Sequence, residues 1–203
     1  MAYPSRYLPP SDKKTLDLTR LFEYLLSFRY RFNGWLLGIY LSALGCKVGK
    51  GLKCLKFPSF KDIPKGNIRI GDHVSIGRGV IFEIARTGSL DIGDRCTLGD
   101  YSRYSSIDKI SIGKAVAIAE HVSIRGSFHR TARDQKIIDQ GDEGAPISIG
   151  DDVLLGAQTV VLMGATIPDG AIIGSQSLVR SSDKVHPYGI FAGSPLKHIR
   201  DRR

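Results

Sequence analysis

Large apolar residues recur at every sixth position through the second half of the chain. The stretch 147–179 reads ISIGDDVLLGAQTVVLMGATIPDGAIIGSQSLV, and its period residues are Ile149, Leu155, Val161, Ile167, Ile173 and Val179. An α-helix repeats every 3.6 residues and a strand every two, so a period of six fits short strands separated by turns. Such a hexapeptide period predicts a parallel β-helix, in which the chain winds into stacked coils.

The same spacing continues upstream in groups of three. The groups are Ile70, Ile76 and Phe82; Ile92, Leu98 and Tyr104; and Ile112, Ile118 and Ile124. The interval between groups is ten residues, then eight, then 25, and each longer interval follows a third member. Three hexapeptides therefore form one coil, and every insertion leaves the column at the same corner. Val48, Cys54 and Phe60 extend the spacing into 46–66, where prolines and lysines make the coil less regular.

Glycine follows several period residues, as in Ile70-Gly71 and Ile92-Gly93. We expect a tight bend with positive φ at these glycines. The alternative fold, a β-sandwich, would show hairpin turns at irregular intervals and not one period held through five coils. The pattern thus favours an all-β solenoid.

The N-terminal third has a helical pattern instead. Apolar residues between positions 16 and 44 fall at helical spacing, and Gly34 is predicted to divide this stretch into two helices. The longest uncharged run, 32–46, is shorter than the about 20 residues of a membrane span. The helices either cap the open end of the β-helix, which we favour, or place Trp35 and neighbouring aromatic and arginine side chains on a membrane surface or a lipid-linked acceptor.

These patterns predict three regions. Residues 1–45 form an N-terminal arm and a small helical extension, and 46–185 form the β-helix with a loop excursion at 125–146. Residues 186–203 form a short basic C-terminal tail.

Charge and cysteine content indicate what the protein binds and in which compartment it works. The net charge is +9, and residues 1–66 contribute +8 of it from 12 Lys and Arg against 4 Asp and Glu, which suits an anionic partner. Three cysteines without a C-x-x-C pair argue against a disulfide framework or a zinc cluster, and Cys96 fits the core. Without a secretory signal, we expect a cytoplasmic protein, at the inner face of the membrane if the N-terminal segment contacts lipid.

The repeated I-G-D-x-V units, the histidine in the long loop and the closing GIFAGSPLKHIR resemble the hexapeptide-repeat acyltransferase family over about residues 67–203. The chain is most similar to the O-acetyltransferases that act on sugars. The resemblance implies a left-handed parallel β-helix, a rare exception to the right-handed crossover rule. It also implies a homotrimer with active sites in the grooves between neighbouring columns, and acetyl-CoA as co-substrate. We expect no metal and no nucleic-acid partner.

His129 is the candidate catalytic residue. It stands five residues after Ile124, inside the long insertion, and long loops are where functional residues collect. A sugar hydroxyl is a poor nucleophile, so acetyl transfer to it needs a base, and neutral imidazole suits that role near pH 7. The resemblance places the family's general base at this position. The group that orients the imidazole of His129 is either a backbone carbonyl or one of four acids in the loop. These acids are Asp134, Asp139, Asp142 and Glu143.

The resemblance also implies the binding residues. Ala157 and Ser175 would offer backbone groups to the pantetheine arm, and Lys197 and Arg200 would meet the nucleotide phosphates. The candidate acceptor contacts are Tyr104, Ser105, Asp108 and His121, of which His121 has the alternative of a solvated turn residue.

The predicted function is acetyl transfer from acetyl-CoA to a saccharide hydroxyl in capsule, exopolysaccharide or O-antigen synthesis, directly and without a covalent enzyme intermediate. The saccharide acceptor is either free or lipid-linked. The alternatives are a sugar N-acetyltransferase and a non-catalytic β-helix scaffold. A β-helix enzyme of the γ-carbonic anhydrase type needs two metal-binding histidines five residues apart, whereas His121 and His129 are eight apart.

Overall fold

The computed structural model describes residues 18–203, which form one helix followed by a three-sided column of short strands. The predicted N-terminal arm lies outside the described residues. Helix α1 spans Leu18–Ala43. The strands are, in chain order, β1 (Lys47–Val48), β2 (Lys53–Cys54), β3 (Ser59–Phe60), β4 (Ile68–Ile70), β5 (Ser75–Ile76), β6 (Ile81–Ile84), β7 (Ser89–Ile92), β8 (Thr97–Leu98), β9 (Arg103–Ser106), β10 (Lys109–Ile112), β11 (Ala117–Ile118), β12 (Ser123–Arg125), β13 (Ser127–His129), β14 (Asp142–Gly144), β15 (Ile147–Ile149), β16 (Leu154–Leu155), β17 (Val160–Leu162), β18 (Thr166–Ile167), β19 (Ile172–Ile173), β20 (Leu178–Val179), β21 (Gly189–Ala192) and β22 (Lys197–Asp201). A short 3-10 helix, Ile137–Asp139, lies between β13 and β14.

Each face of the column is a sheet of strands taken from successive coils. The first face has the order β1-β4-β7-β10-β15-β18, the third β3-β6-β9-β12-β17-β20, and the second β2-β5-β8-β11-β16-β19-β21-β22. The strands within these faces pair in parallel, with period residues opposite one another, as in Ile112 and Ile149; only β21 and β22 pair antiparallel. The predicted left-handed parallel β-helix is confirmed, and 46–66 forms its first complete coil.

The period residues build the core. Those from Ile70 to Val179 are at most 3% exposed, which confirms their inward placement. Phe60, Phe82 and Tyr104 stack inside the third face, with ring centroids 5.5 and 5.4 Å apart. Cys96 is buried as predicted, and burial raises the pKa of its thiol, so it behaves as a small core residue.

The glycines that follow period residues have a different role from the one predicted. Gly71 is not among the residues with positive φ, which occur two positions later, at His73 for example. A Cβ on Gly71 would lie 2.7 Å from the backbone nitrogen of Asp94 in the next coil. These glycines are therefore needed because stacked corners approach too closely for a side chain, and the prediction of positive φ was wrong.

Helix α1 is continuous through Gly34, so the predicted division into two helices was wrong. A Cβ on Gly34 would lie 2.6 Å from the carbonyl carbon of Leu52, which shows that the helix packs directly on the backbone of the first coil. Leu37 and Leu41 are fully buried at this contact. The C-terminal half of α1 thus caps the column, as expected. Residues 18–203 include no helix with the length and hydrophobicity required to cross a membrane.

This contact gives a test by paired glycine substitutions in one helix. Gly34→Ala should destabilise the protein by about 1–3 kcal/mol, because the added methyl group must push the first coil away. Gly38→Ala is the matched control: its Cβ would meet only a Val48 methyl group at 3.7 Å, so it should gain up to about 1 kcal/mol of helix propensity. Chemical denaturation measures both, and equal effects of the two changes would contradict the proposed contact.

Every longer interval between period residues is a loop that leaves the column at the corner between the third and first faces, as predicted. The longest of these loops lies between β12 and β15.

The segment 186–203, predicted as a tail, adds β21 and β22 to the second face. Arg202 fastens its end, because Nη1 lies 2.8 Å from a carboxylate oxygen of Asp152 and 2.9 Å from the Gly170 carbonyl. The second face therefore extends beyond residue 185.

Candidate active site

The long excursion forms a β-hairpin that stands away from the column. Strands β13 and β14 pair antiparallel, with His129 opposite Asp142 and Phe128 opposite Glu143. Beyond the strands, Gln140 closes the tip, since its side chain accepts from the backbone N–H of Ala132 at 2.6 Å and donates to the carbonyls of Ala132 and Gln135. The hairpin therefore has its own hydrogen bonds to hold its shape.

The hairpin brings one carboxylate to the candidate base. His129 Nδ1 lies 2.8 Å from Asp142 Oδ1, a hydrogen-bond distance. With the Nδ1–H donated to Asp142, the lone pair of Nε2 is left to accept a proton. Of the four acids left open by the sequence, the structure selects Asp142. The two side chains are 55% and 43% exposed in the single chain, so the ring is accessible to a substrate.

The base of the hairpin packs on the preceding coil. Gly126 donates its backbone N–H to the Ser105 carbonyl at 2.7 Å, and a Cβ on Gly144 would lie 2.7 Å from Ile107 Cγ1. The corner 106–108 thus lies against the base of the hairpin that carries His129. Asp108 at this corner is half-buried and accepts from the backbone N–H of Lys109.

Tyr104 is fully buried, so its prediction as an acceptor contact was wrong. Its ring packs against that of Phe82 at an interplanar angle of 35°, and its hydroxyl accepts a hydrogen bond from Ser102 Oγ at 3.3 Å. Burial raises the pKa of the phenol, which the hydrogen bond from Ser102 offsets only in part. Ser105 is 9% exposed, which leaves little of it for a ligand.

His121 lies at a different corner from the hairpin. It is exposed in the turn between the second and third faces, with φ of 57°, and its ring stacks on Tyr101 at 5.2 Å. Ala157 and Ser175 occupy the same corner one and two coils further on, where Gln158 N–H bonds to the Glu120 carbonyl and Gln176 N–H to the Ala157 carbonyl. The structure therefore brings His121 together with the predicted coenzyme residues and separates all of them from His129.

The outer side of the second face carries an apolar row that ends in arginines. Neighbouring strands place Ala117, Leu154, Ile172 and Ile190 side by side, followed by Arg200 on β22. A pocket of about 460 Å³ lies at this end and is lined by Ile172, Ile190, Arg200, Arg202 and Arg203. The row suits an apolar or amide-containing chain and the arginines suit phosphates. Arg200 was predicted from the sequence, but the apolar row was not. The signal for the row is the apolar residue that directly precedes each of the later period residues of the second face.

Comparisons with known proteins identify the family of this chain. Residues 146–175 match the family described as hexapeptide repeat of succinyl-transferase. A probable acetyltransferase of Mycobacterium tuberculosis is 30% identical over 214 residues, which cover 98% of this chain and 68% of that protein. The chain belongs to the hexapeptide-repeat acetyltransferase family. The protein is an acyl-CoA-dependent acetyltransferase.

A second relative of this acetyltransferase is named for acyl transfer to oxygen, and a solved structure of similar fold is named for transfer to nitrogen. The putative lipopolysaccharide biosynthesis O-acetyl transferase WbbJ of Escherichia coli is 26% identical over 159 residues, covering 74% of this chain and 80% of that protein. AntD, an N-acyltransferase from Bacillus cereus solved with dTDP and 3-hydroxybutyryl-CoA, has a TM-score of 0.67 at 19% identity, covering 80% and 87% of the two chains. The likeness to AntD shows the shared fold. Nothing in these comparisons supports the membrane contact considered for α1.

Proposed function

We propose that this acetyltransferase moves acetyl from acetyl-CoA to a saccharide hydroxyl during synthesis of a capsule, exopolysaccharide or O-antigen, with His129 as the general base. The observation that carries the proposal is the His129–Asp142 pair on the excursion. The hydroxyl proton passes to Nε2 as the oxygen attacks the thioester carbonyl, the C–S bond breaks, and the imidazolium returns the proton to the coenzyme A sulfur. This direct transfer uses no covalent enzyme intermediate.

Coenzyme A fits the outer side of the second face. Its pantetheine arm would follow the apolar row past the corner of Ala157 and Ser175, and its phosphates would lie among Lys197, Arg200 and the neighbouring arginines. Arginine suits this end because its guanidinium binds phosphate through paired, charge-assisted hydrogen bonds.

A complete site then needs two chains. The hairpin leaves from the corner between the third and first faces, whereas the coenzyme surface and His121 lie along the second face and its far corner. Within a homotrimer, His129 of one chain would approach the coenzyme on a neighbour, with Asp108 and His121 as the acceptor contacts that stay candidates. Enclosure by a neighbouring chain would also exclude water from the half-exposed imidazole.

Transfer to a sugar amine is the second candidate, because AntD shares the fold and is an N-acyltransferase. Two points support transfer to oxygen: the similarity to WbbJ and the chemistry of the acceptor. A hydroxyl needs a base such as the His129–Asp142 pair more than a free amine does.

Mass spectrometry of products tests the proposal. The purified protein would be incubated with acetyl-CoA and a panel of sugar nucleotides, amino-sugar nucleotides and lipid-linked saccharides. A product that gains acetyl and loses it in mild alkali is an ester and supports the proposal, because an amide resists that treatment. Acetylation confined to amino sugars would favour the second candidate, and no acetylation with any acceptor would count against both.

Arg200→Ala should raise the KM for acetyl-CoA by about 10–100-fold, because a charged hydrogen bond to phosphate contributes about 1.5–3 kcal/mol. Steady-state rates with coenzyme A esters that have and lack the 3′-phosphate would show which phosphate is involved. Arg86→Ala, which removes an exposed arginine from another corner, is the matched control and should change the KM little. An unchanged KM in Arg200→Ala would remove this residue from the coenzyme site.

A further inference from the structure

His186, His198 and Asp201 gather at the C-terminal end of the column, and the proposed reaction uses none of them. Their nearest ligand atoms all lie within 4.8 Å of one another. His198 Nε2 is 3.0 Å from Asp201 Oδ1, and His186 Nε2 is 3.6 Å from the same oxygen. Zinc bound tetrahedrally at about 2.0–2.2 Å separates its ligand atoms by about 3.3–3.6 Å. The separation between His186 and Asp201 already has this value, and the one between His198 and Asp201, a hydrogen bond in this structure, is slightly shorter.

We propose that these three side chains bind a divalent transition-metal ion of the zinc class. Two imidazole nitrogens and one carboxylate oxygen suit Zn²⁺, whereas Mg²⁺ and Ca²⁺ prefer sites made of oxygen alone. The ion would fasten the last strand to the end of the column, with water completing its coordination. The inference is independent of the acceptor and of the transfer chemistry proposed above.

A β-bulge brings the two ligands of β22 to one side of the strand. His198 and Asp201 are three residues apart, and regular alternation would place them on opposite sides of the sheet. The register instead pairs Phe191 with His198 and Ile190 with Arg200, so that Ile199 is an extra residue. The bulge therefore puts His198 and Asp201 on the same side as Phe191, and bulges commonly redirect side chains in this way.

His186 is oriented as a metal-binding histidine would be. Its Nδ1 lies 3.2 Å from the Pro187 carbonyl oxygen, which only accepts, so the nitrogen must donate its hydrogen. In the neutral ring the lone pair is then on Nε2, which faces the Asp201 carboxylate. A lone pair facing a carboxylate is repulsive unless a proton or a metal ion lies between them, and a metal ion would serve both groups as ligands. Metal-bound histidines usually donate their other ring N–H to a carbonyl or carboxylate in the same way.

The two imidazole rings are also held by packing. Each contacts the ring of the buried Phe191, at centroid distances of 5.1 Å for His186 and 5.2 Å for His198. A Cβ on Gly189 would lie 2.7 Å from His186 Cε1, so the absence of a side chain there makes room for the ring. Rings placed by their neighbours lose less freedom when they bind an ion, which favours binding.

Calorimetric titration of the metal-free, full-length protein with Zn²⁺ tests the site. We expect one Zn²⁺ per chain for the wild type and at least about 100-fold weaker binding for His198→Ala, since even loss of an outer partner weakens metal binding by about 10–100-fold. His73→Ala removes another exposed imidazole, at a corner of the coil, and should leave binding unchanged. Circular dichroism would establish that the variants stay folded.

Hydrogen exchange provides a second measurement that does not depend on activity. Zn²⁺ should slow exchange of the β22 amides in the wild type and in His73→Ala but not in His198→Ala, and Mg²⁺ should have no effect. A wild type that takes up no Zn²⁺, or binding that survives in His198→Ala, would overturn the proposal. Binding lost in His129→Ala and kept in His198→Ala would place the ion at the hairpin and would overturn it as well.

Discussion

His129→Ala is expected to lower turnover by about 10²–10⁴, which is the contribution of a positioned general base. The loss should fall on the transfer step, because His129 is proposed to take the acceptor's proton and not to hold coenzyme A, which is proposed to bind along the second face of a neighbouring chain. Initial rates of coenzyme A thiol release, with the acceptor identified by the product screen, measure the effect. Coenzyme binding by calorimetry and the mass of the assembly by light scattering, which is that of a trimer under the proposal, should stay unchanged.

Two further variants of the hairpin separate the role of Asp142 from general damage to the loop. Asp142→Asn should lower turnover as well, though less than His129→Ala, since an amide can also donate to Nδ1 and no longer fixes the tautomer that leaves the Nε2 lone pair free. Glu143→Gln alters the adjacent acid, which is paired with Phe128 on the other side of the strand, and should behave like the wild type. Near-normal turnover in His129→Ala would remove this histidine from the mechanism.

Phe82→Ala is expected to lower the free energy of unfolding by about 3–5 kcal/mol, the usual cost of removing a buried aromatic ring. Phe82 is 1% exposed and lies between Phe60 and Tyr104, so the cavity would interrupt the aromatic stack at its middle. Strands fixed above and below leave little freedom for the cavity to close. For a chain of this size, the midpoint of thermal unfolding should fall by about 6–20 °C.

Phe57→Ala is the matched control, because that phenylalanine belongs to the preceding coil and is 46% exposed. Its removal should shift the midpoint much less. If the two variants shift the midpoint equally, the stack contributes no more than exposed surface, and the proposed role of the third-face core fails.

Tyr104 shows that the hexapeptide spacing predicts which side chains are buried. Tyr104 is a period residue of the sequence, so the hexapeptide rule already places it inside the column, and its full burial agrees with that rule. The prediction that it contacts the acceptor came from the resemblance alone. Where a periodic pattern and a family resemblance conflict at one residue, the pattern is the better guide to its direction, because burial follows directly from the coil geometry.

Gly34 shows where a local sequence rule fails and a distant contact decides the structure. Its low helix propensity predicts a break, yet the helix continues through it because the first coil packs on the space that a Cβ would fill. Propensity acts within a few residues, whereas the contact with Leu52 is made by a distant part of the chain.

The hexapeptide spacing by itself determined the column, its core and the corner from which the excursion leaves, because each strand buries its period residue by the same local geometry. The partner of His129, the apolar row that ends at Arg200 and the His186–His198–Asp201 cluster were decided only by the tertiary structure. Each of these depends on register between segments that the spacing rule does not relate: an antiparallel hairpin, strands of successive coils and a bulged terminal strand.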